Sequence, residues 1–312
     1  MLSRIADSLF WLNRYMERTQ SILRVVHSHY IISLDNDAIG STTWKPILEI
    51  FAQLPESEVV RIERSPGAVL KKILVDRNNP NSIKTIVARA RENARGVQNH
   101  ITKELWEAVN SMYHLTNKSQ LAARLSGPEA LEVIDLFMRQ SVFYAGIADI
   151  TMQRGTGWDF MKLGKYMERS METIVITDKQ CQLFDYDLQQ ERDVAHWRFL
   201  LMSLAGYEVY LKSYRSFKHN NSILHQMLLN EDYPHSVIFS LTRIDRYLRD
   251  VTKENGTPEK QALIRTFGRL YSKIRYMEPQ RLETMDLKSF FIELRNDLLS
   301  VHNQLEKVFF SY

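Results

Sequence analysis

A single cysteine, Cys181, occurs in the whole chain. That excludes an internal disulfide framework and a cysteine-rich zinc site. It is the usage expected of a reducing cytoplasm, with Cys181 itself read as a buried structural thiol. Breakers are scarce as well: 11 glycines and 8 prolines in 312 residues, below the average shares of roughly 7% and 5%. With Leu, Met, Arg, Lys, Glu and Gln abundant, the deficit favours helix. No apolar run approaches the ~20 residues of a membrane span. Near the N-terminus, Leu9-Phe10-Trp11-Leu12 is closed by Arg14, Glu17 and Arg18, so it reads as a structural helix and not as a signal peptide. Charge of one sign is also lacking. The excess is +4, too small to imply a nucleic-acid partner. What remains is an ordinary globular composition, 44% hydrophobic and 25% charged, long enough to bury a large core.

The most informative feature is a phrase that returns. Arg14-Tyr15-Met16-Glu17-Arg18 comes back as Lys165-Tyr166-Met167-Glu168-Arg169, an offset of 151. Trp44-Lys-Pro-Ile-Leu48 aligns with Trp197-Arg-Phe-Leu-Leu201 at an offset of 153. Leu70, Leu74, Pro80, Ser82, Arg89 and Arg95 align with Leu224, Leu228, Pro234, Ser236, Arg243 and Arg249 at 154. Such a period is too long for a solenoid. It predicts an all-α, multi-helix array of two internally duplicated halves related by pseudo-twofold symmetry. The halves are residues 1–152 and 153–312, joined through Gln153–Gly157 and packed as one structural unit.

Helix 1 is expected from about Ser3 to Leu34. Leu2, Ile5, Leu9, Leu12, Met16, Leu23, Val26 and Tyr30 recur at spacings of three, four or seven, and a second stripe holds Trp11, Arg18, Ile22 and Val25. Two apolar faces indicate a helix enclosed by neighbours. Further helices are expected at about Trp44–Leu54, Pro66–Val75, Pro80–Val97, Lys103–Leu115, Pro128–Met152, Trp158–Thr177, Val194–Phe217, Asn221–Leu229, Pro234–Lys253, Pro258–Met277 and Leu287–Phe310. Their starts are read from Ser65-Pro66, Asn79-Pro80, Ser126-Gly-Pro-Glu129, Thr257-Pro258-Glu259 and Asp286. Ser57–Ile62 is left unassigned.

The opening Met1 to Arg18, the stretch Asp76-Arg-Asn-Asn-Pro80-Asn-Ser82, the block Ala90-Arg-Glu-Asn-Ala-Arg95 with Glu104-Leu-Trp106-Glu107 and Asn110, and the run Gly157-Trp158 through Arg169 together resemble the bacterial alpha-E family, a predicted all-helical domain with a recurrent Glu-Arg motif. The resemblance covers nearly the whole chain. It implies a setting beside ATP-grasp-type amide ligases, transglutaminase-like proteases and proteasome-like hydrolases. A protein partner from amide-bond formation or peptide processing is therefore expected by resemblance. Two departures stand out. Asn13 occupies a position where glycine is usual, and the second half carries Asp245-Arg-Tyr247 where the first has the Arg-Glu-Asn block.

Adjacent helical residues point about 100° apart, so Glu17 and Arg18 cannot pair with each other. The simplest closure pairs Glu17 with Arg169 and Glu168 with Arg18, with Arg91, Asn93 and Arg95 as further partners. One reading of these seven residues is a structural ion-pair network. A second is a pocket whose arginines grip a carboxylate or phosphate ligand. A third is a partner-binding surface. Arg91 and Arg95 share a face and would repel unless an anion or carboxylate lies between them. No histidine has Glu three positions before it, although Asp193-x-x-His196 and Asp232-x-x-His235 occur. No phosphate-cradling loop, nucleophile elbow or zinc-protease motif is present, so neither cofactor nor metal is expected, and no catalytic residue is assigned. The main expectation is a non-catalytic partner or scaffold. The alternative is a protein acting on a peptide or amino-acid conjugate, with Glu17 or Glu168 as acid/base. Tyr207, Tyr210, Tyr214, Lys212 and Arg215 read as a core stripe with outer charges rather than as a stacking platform for single-stranded nucleic acid. Arg243, Arg246 and Arg249 with Asp245 and Asp250 read as a solvated face.

Overall fold

The computed structural model describes residues 2–36, 43–214, 218–253 and 256–311. The fold is all-α, 77% helical, with no strand among the described residues. In chain order the helices are α1 (Ser3–Asn36), α2 (Lys45–Phe51), α3 (Glu56–Ile62), α4 (Pro66–Leu74), α5 (Ile83–Gly96), α6 (Lys103–Thr116), α7 (Leu121–Arg124) and α8 (Ala130–Thr151). There follow α9 (Thr156–Gln182), α10 (Val194–Ser203), α11 (Tyr207–Ser213), α12 (His219–Leu228), α13 (Val237–Thr252), α14 (Pro258–Arg275) and α15 (Leu287–Phe309).

The chain divides into two compact units. Unit 1 comprises residues up to Arg14 together with those from Arg154 onward. Unit 2 comprises Tyr15–Gln153. In unit 1, α9 packs along α13 and α15, α13 packs on α14, and α14 packs on α15. In unit 2, α6 lies between α5 and α8, while α2, α3 and α4 pack on one another. The middle of each stripe expected of helix 1 is buried, with Leu9, Leu12, Leu23 and Val26 of the first and Ile22 and Val25 of the second inaccessible, whereas Leu2 is exposed and Ile5, Trp11, Arg18 and Tyr30 are half-buried. Helix α9 buries polar Glu168, Ser170 and Thr173 beside Met161, Leu163 and Met167, so it too is enclosed.

Several boundaries move for identifiable reasons. Ser57–Ile62 is helical: α3 follows Pro55, carries Glu56 and Glu58 in its first turn, and buries Val59. Helix α5 starts at Ile83 and not at Pro80, because Ser82 is the cap that accepts the Thr85 amide. Asn79 instead accepts the Asn81 amide and donates to the Lys72 carbonyl. The expected helix Pro128–Met152 starts at Ala130, where no side chain caps it, and the separate turn α7 precedes it. The expected Val194–Phe217 helix is broken after Ser203. Ala205 adopts φ 58°, and the Gly206 carbonyl accepts Gln226 Nε2 at 2.9 Å. A Cβ on Gly206 would lie 2.5 Å from Gln226 Nε2 and 2.7 Å from the Tyr233 hydroxyl, so the break accommodates two buried side chains. Residues 215–217, including Arg215 of the aromatic–basic cluster, lie outside the described residues.

The turns before α5 and α13 are built alike. Asp76 Oδ1 accepts the Asn78 amide at 2.9 Å, and Asn230 Oδ1 accepts the Asp232 amide at 3.0 Å. The Ser82 amide bonds to Asn79 O and the Ser236 amide to Tyr233 O. Each serine hydroxyl then caps its helix.

Candidate functional site

Helix α1 approaches α9 through Gly164. A Cβ there would lie 2.2 Å from the Phe10 carbonyl oxygen. One turn further along each helix, that backbone contact brings Arg14 and Glu168 together. Arg14 Nε donates to Glu168 Oε2 at 2.6 Å, with both side chains buried. A charge-assisted bond of this length in a dry setting orients both partners. The Arg14 guanidinium lies over Trp11 at 4.6 Å and Phe10 at 5.7 Å. Its Nη1 stands 3.3 Å from His302 Nε2. His302, from α15, stacks on Phe10 with an interplanar angle of 10° and lies 3.3 Å from Glu306. Burial, and next the Arg14 charge, push the His302 imidazole down to about 4, with Glu168 opposing, so it is neutral at pH 7. The Asp7 carboxyl is raised from its ordinary value, first by burial and then by Glu306.

The neighbouring motif residue, Arg169, points elsewhere, as helix geometry requires. Its Nη1 donates to the Pro234 carbonyl at 3.2 Å, and Thr173 donates to the His235 carbonyl at 2.8 Å. Arg169 therefore fastens α9 to the turn before α13. In unit 2, Arg18 Nη1 reaches Asn81 Oδ1 at 3.5 Å, in the turn before α5. Glu17, like Glu168, is buried.

Of the other candidates, Arg91, Asn93 and Arg95 lie together on α5. Arg91 Nε donates to Asn110 Oδ1 at 2.7 Å, and its guanidinium covers Tyr113 at 4.5 Å and Trp106 at 5.6 Å. The carboxylate between Arg91 and Arg95 is Glu92, 3.4 Å from the first and 3.6 Å from the second. Asn93 is half-buried and Arg95 exposed. The outcome is a half-buried cation–aromatic cluster along α5 and α6.

The acid–histidine spacings have local explanations. Asp193 caps α10, accepting the Ala195 and His196 amides, and its Oδ1 lies 2.9 Å from His196 Nδ1. The His235 carbonyl serves Thr173. No group of three or more His, Cys, Asp or Glu able to hold a metal occurs among the described residues. Tyr210 and Tyr214 stack at 5.3 Å and bond to His219 and His225 at 2.7 and 2.8 Å. Lys212 lies outside them, 3.9 Å from Glu208. Arg249 pairs with Asp245 at 2.9 Å on the outer face of α13. Cys181 is buried, and burial pushes its thiol far above the usual range. No helix is long and apolar enough to cross a membrane among the described residues.

The sequence reading pairs Glu168 with Arg18, whereas the bond the structure gives Glu168 comes from Arg14; neither that role of Arg14 nor His302 is singled out by the sequence. The available signal was Gly164, a small residue one turn before Glu168 in a chain otherwise short of glycine.

A family model described as Alpha-E, "a predicted alpha-helical domain with a conserved ER motif", matches residues 1–310. Uncharacterized proteins of Mycobacterium bovis and of two strains of Mycobacterium tuberculosis are 18% identical to the chain over 331 aligned positions. The alignments cover 98% of this chain and 36% of theirs, so the chain spans about a third of the length of these curated relatives. No solved structure matches.

Proposed function

The chain belongs to the Alpha-E family, and from that premise we propose a non-catalytic helical partner or scaffold. By resemblance, the enzyme it serves is an ATP-grasp-type amide ligase or a peptide-processing enzyme in the cytoplasm. The observation that carries the non-catalytic part is the engagement of the motif itself. Glu168 is committed to Arg14 at 2.6 Å in a buried pair, and Arg169 is committed to the Pro234 carbonyl. A carboxylate held by a buried guanidinium supports packing better than proton transfer. Duplication of an ancestral half is part of this reading. Its support is the like-built turns before α5 and α13 and the arginine that reaches each of them.

Docking is assigned to the α5–α6 cluster of Arg91, Trp106, Tyr113 and Asn110. Arginine and large aromatic side chains dominate the energetics of protein interfaces. The test is co-expression and pull-down with the products of neighbouring genes, using wild type and Arg91→Ala. Stable association weakened by Arg91→Ala is expected; no association with any of them overturns the proposal. The alternative, action on a peptide or amino-acid conjugate, draws support from the burial of Glu17 and Glu168. A substrate-dependent activity lost in Glu17→Gln with folding retained would favour it.

A further inference from the structure

Unit 2 contains a cleft of about 330 Å³ where the end of α6, the turn α7 and the first turns of α8 meet. The volume falls within the range of small-molecule sites, roughly 300–1,000 Å³. Its deep wall is apolar, with Val133 and Phe137 of α8 at 1% and 2% exposure and Leu115 and Leu136 half-buried beside them. Two cations line it, Lys118 and Arg124. Arg124 is already engaged: its Nε bonds to Glu129, and Glu132 lies 3.8 Å from its Nη2. Both of those acids lie outside the lining. The Lys118 ammonium, by contrast, has no carboxylate partner among the described residues. At the end of α6, Asn117 Nδ2 donates to the Tyr113 carbonyl and the Lys118 amide to the Leu115 carbonyl, which fixes the backbone that carries the Lys118 side chain.

We infer that this cleft binds a small amphipathic carboxylate, with its apolar body against Leu115, Val133 and Phe137 and its head group on Lys118. The apolar wall supplies the binding energy and the uncompensated cation at the rim supplies the orientation. The inference is independent of the partner reading, because it uses no residue of the motif or of the α5–α6 cluster.

Octanoate, octylamine and octanol serve as probes, followed by saturation-transfer NMR and calorimetry on the full chain. Octanoate is expected to bind saturably, with octylamine and octanol at least tenfold weaker. Lys118→Glu lies on the exposed rim, and far-UV circular dichroism checks that its fold is kept; it is expected to weaken octanoate at least tenfold. Leu136→Trp, which fills the half-buried side of the cleft, is expected to abolish binding. Equal affinity for octanoate and octanol overturns the inference, as does unchanged octanoate binding by Lys118→Glu. Failure of octanoate to bind up to its solubility limit overturns it as well.

Discussion

Gly164→Ala reverses the usual sign of a helix substitution. In a helix interior, alanine is better than glycine by about 1 kcal/mol. At residue 164, however, the new Cβ would fall 2.2 Å from the Phe10 carbonyl oxygen, 3.0 Å from its carbon and 3.3 Å from Arg14 Cγ. Contacts below 3.0 Å are essentially never seen, so α1 must retreat from α9 by at least 0.8 Å against backbone, not against a flexible side chain. The same displacement carries the 2.6 Å Arg14–Glu168 bond to the edge of hydrogen-bonding range. Overpacking costs about 1–3 kcal/mol. Breaking a buried ion pair costs about 3–5 kcal/mol when complete, and here only part of that is incurred. After the gain in helix propensity, a net loss of about 3 kcal/mol remains, or about 6–12 °C in melting temperature at roughly 2–4 °C per kcal/mol. Thermal melts and urea midpoints followed by circular dichroism measure it. Gly146→Ala and Gly268→Ala are the controls, since a Cβ there meets no atom within 4 Å; both should melt slightly higher than wild type. If Gly164→Ala melts at or above wild type while the controls behave, the crossing through Gly164 is refuted.

Ser82→Ala and Ser236→Ala each remove a side-chain cap and should each cost about 1 kcal/mol; a clear effect at one site and none at the other would contradict the like-built turns. His302 has a folded pKa of about 4 against an ordinary 6.5. Above pH 6.5 both states are neutral, whereas between 6.5 and about 4 the unfolded chain binds a proton that the folded one refuses, so this group's contribution is lost as pH falls through that window. His302→Phe, still facing Arg14, Glu168 and Glu306, should show a smaller drop in melting temperature between pH 7 and 4.5 than wild type, and an equal drop would refute the assignment. Cys181 is buried with a raised thiol, so it should react with a disulfide reagent only after denaturant is added; rapid labelling of the native protein would place it at the surface.

Helix was legible because its signals are local. Thr257 and Asp286 were readable as caps and do cap their helices. The proline after Asn79 gives that residue the look of a cap and Pro80 the look of a first helical residue, but the cap is Ser82. The break at Leu204-Ala205-Gly206 carried a signal, glycine inside an apolar pattern, but the cause lies in Gln226 and Tyr233, some 20 to 30 residues on. The site was less legible for the same reason. The helix wheel shows that Glu168 needs a partner but cannot choose Arg14 from among 41 basic residues. His302 lies 288 positions from Arg14, and no periodicity links the two.

The adjacency of Glu and Arg is the feature through which local geometry reaches tertiary structure. Two neighbouring side chains on a helix diverge by about 100°, so a Glu-Arg pair addresses two different surroundings from one turn. On α9 the acid is aimed at α1, where Gly164 has let the backbones close enough for Arg14 to reach it. The base is aimed at the turn before α13, where it meets a carbonyl. Each bond fixes one neighbour of α9, and together they fix its rotation, because turning the helix to improve one would pull the other out of reach. On α1, Arg18 takes the corresponding direction toward the turn before α5, but to a side-chain oxygen at 3.5 Å in place of a carbonyl at 3.2 Å. The first of these bonds thus depends on the identity of residue 81, while the second is made to a backbone carbonyl that any residue supplies. Substitution can loosen the one and leave the other intact, so the two copies of the phrase need not remain equivalent in strength even while they remain alike in sequence.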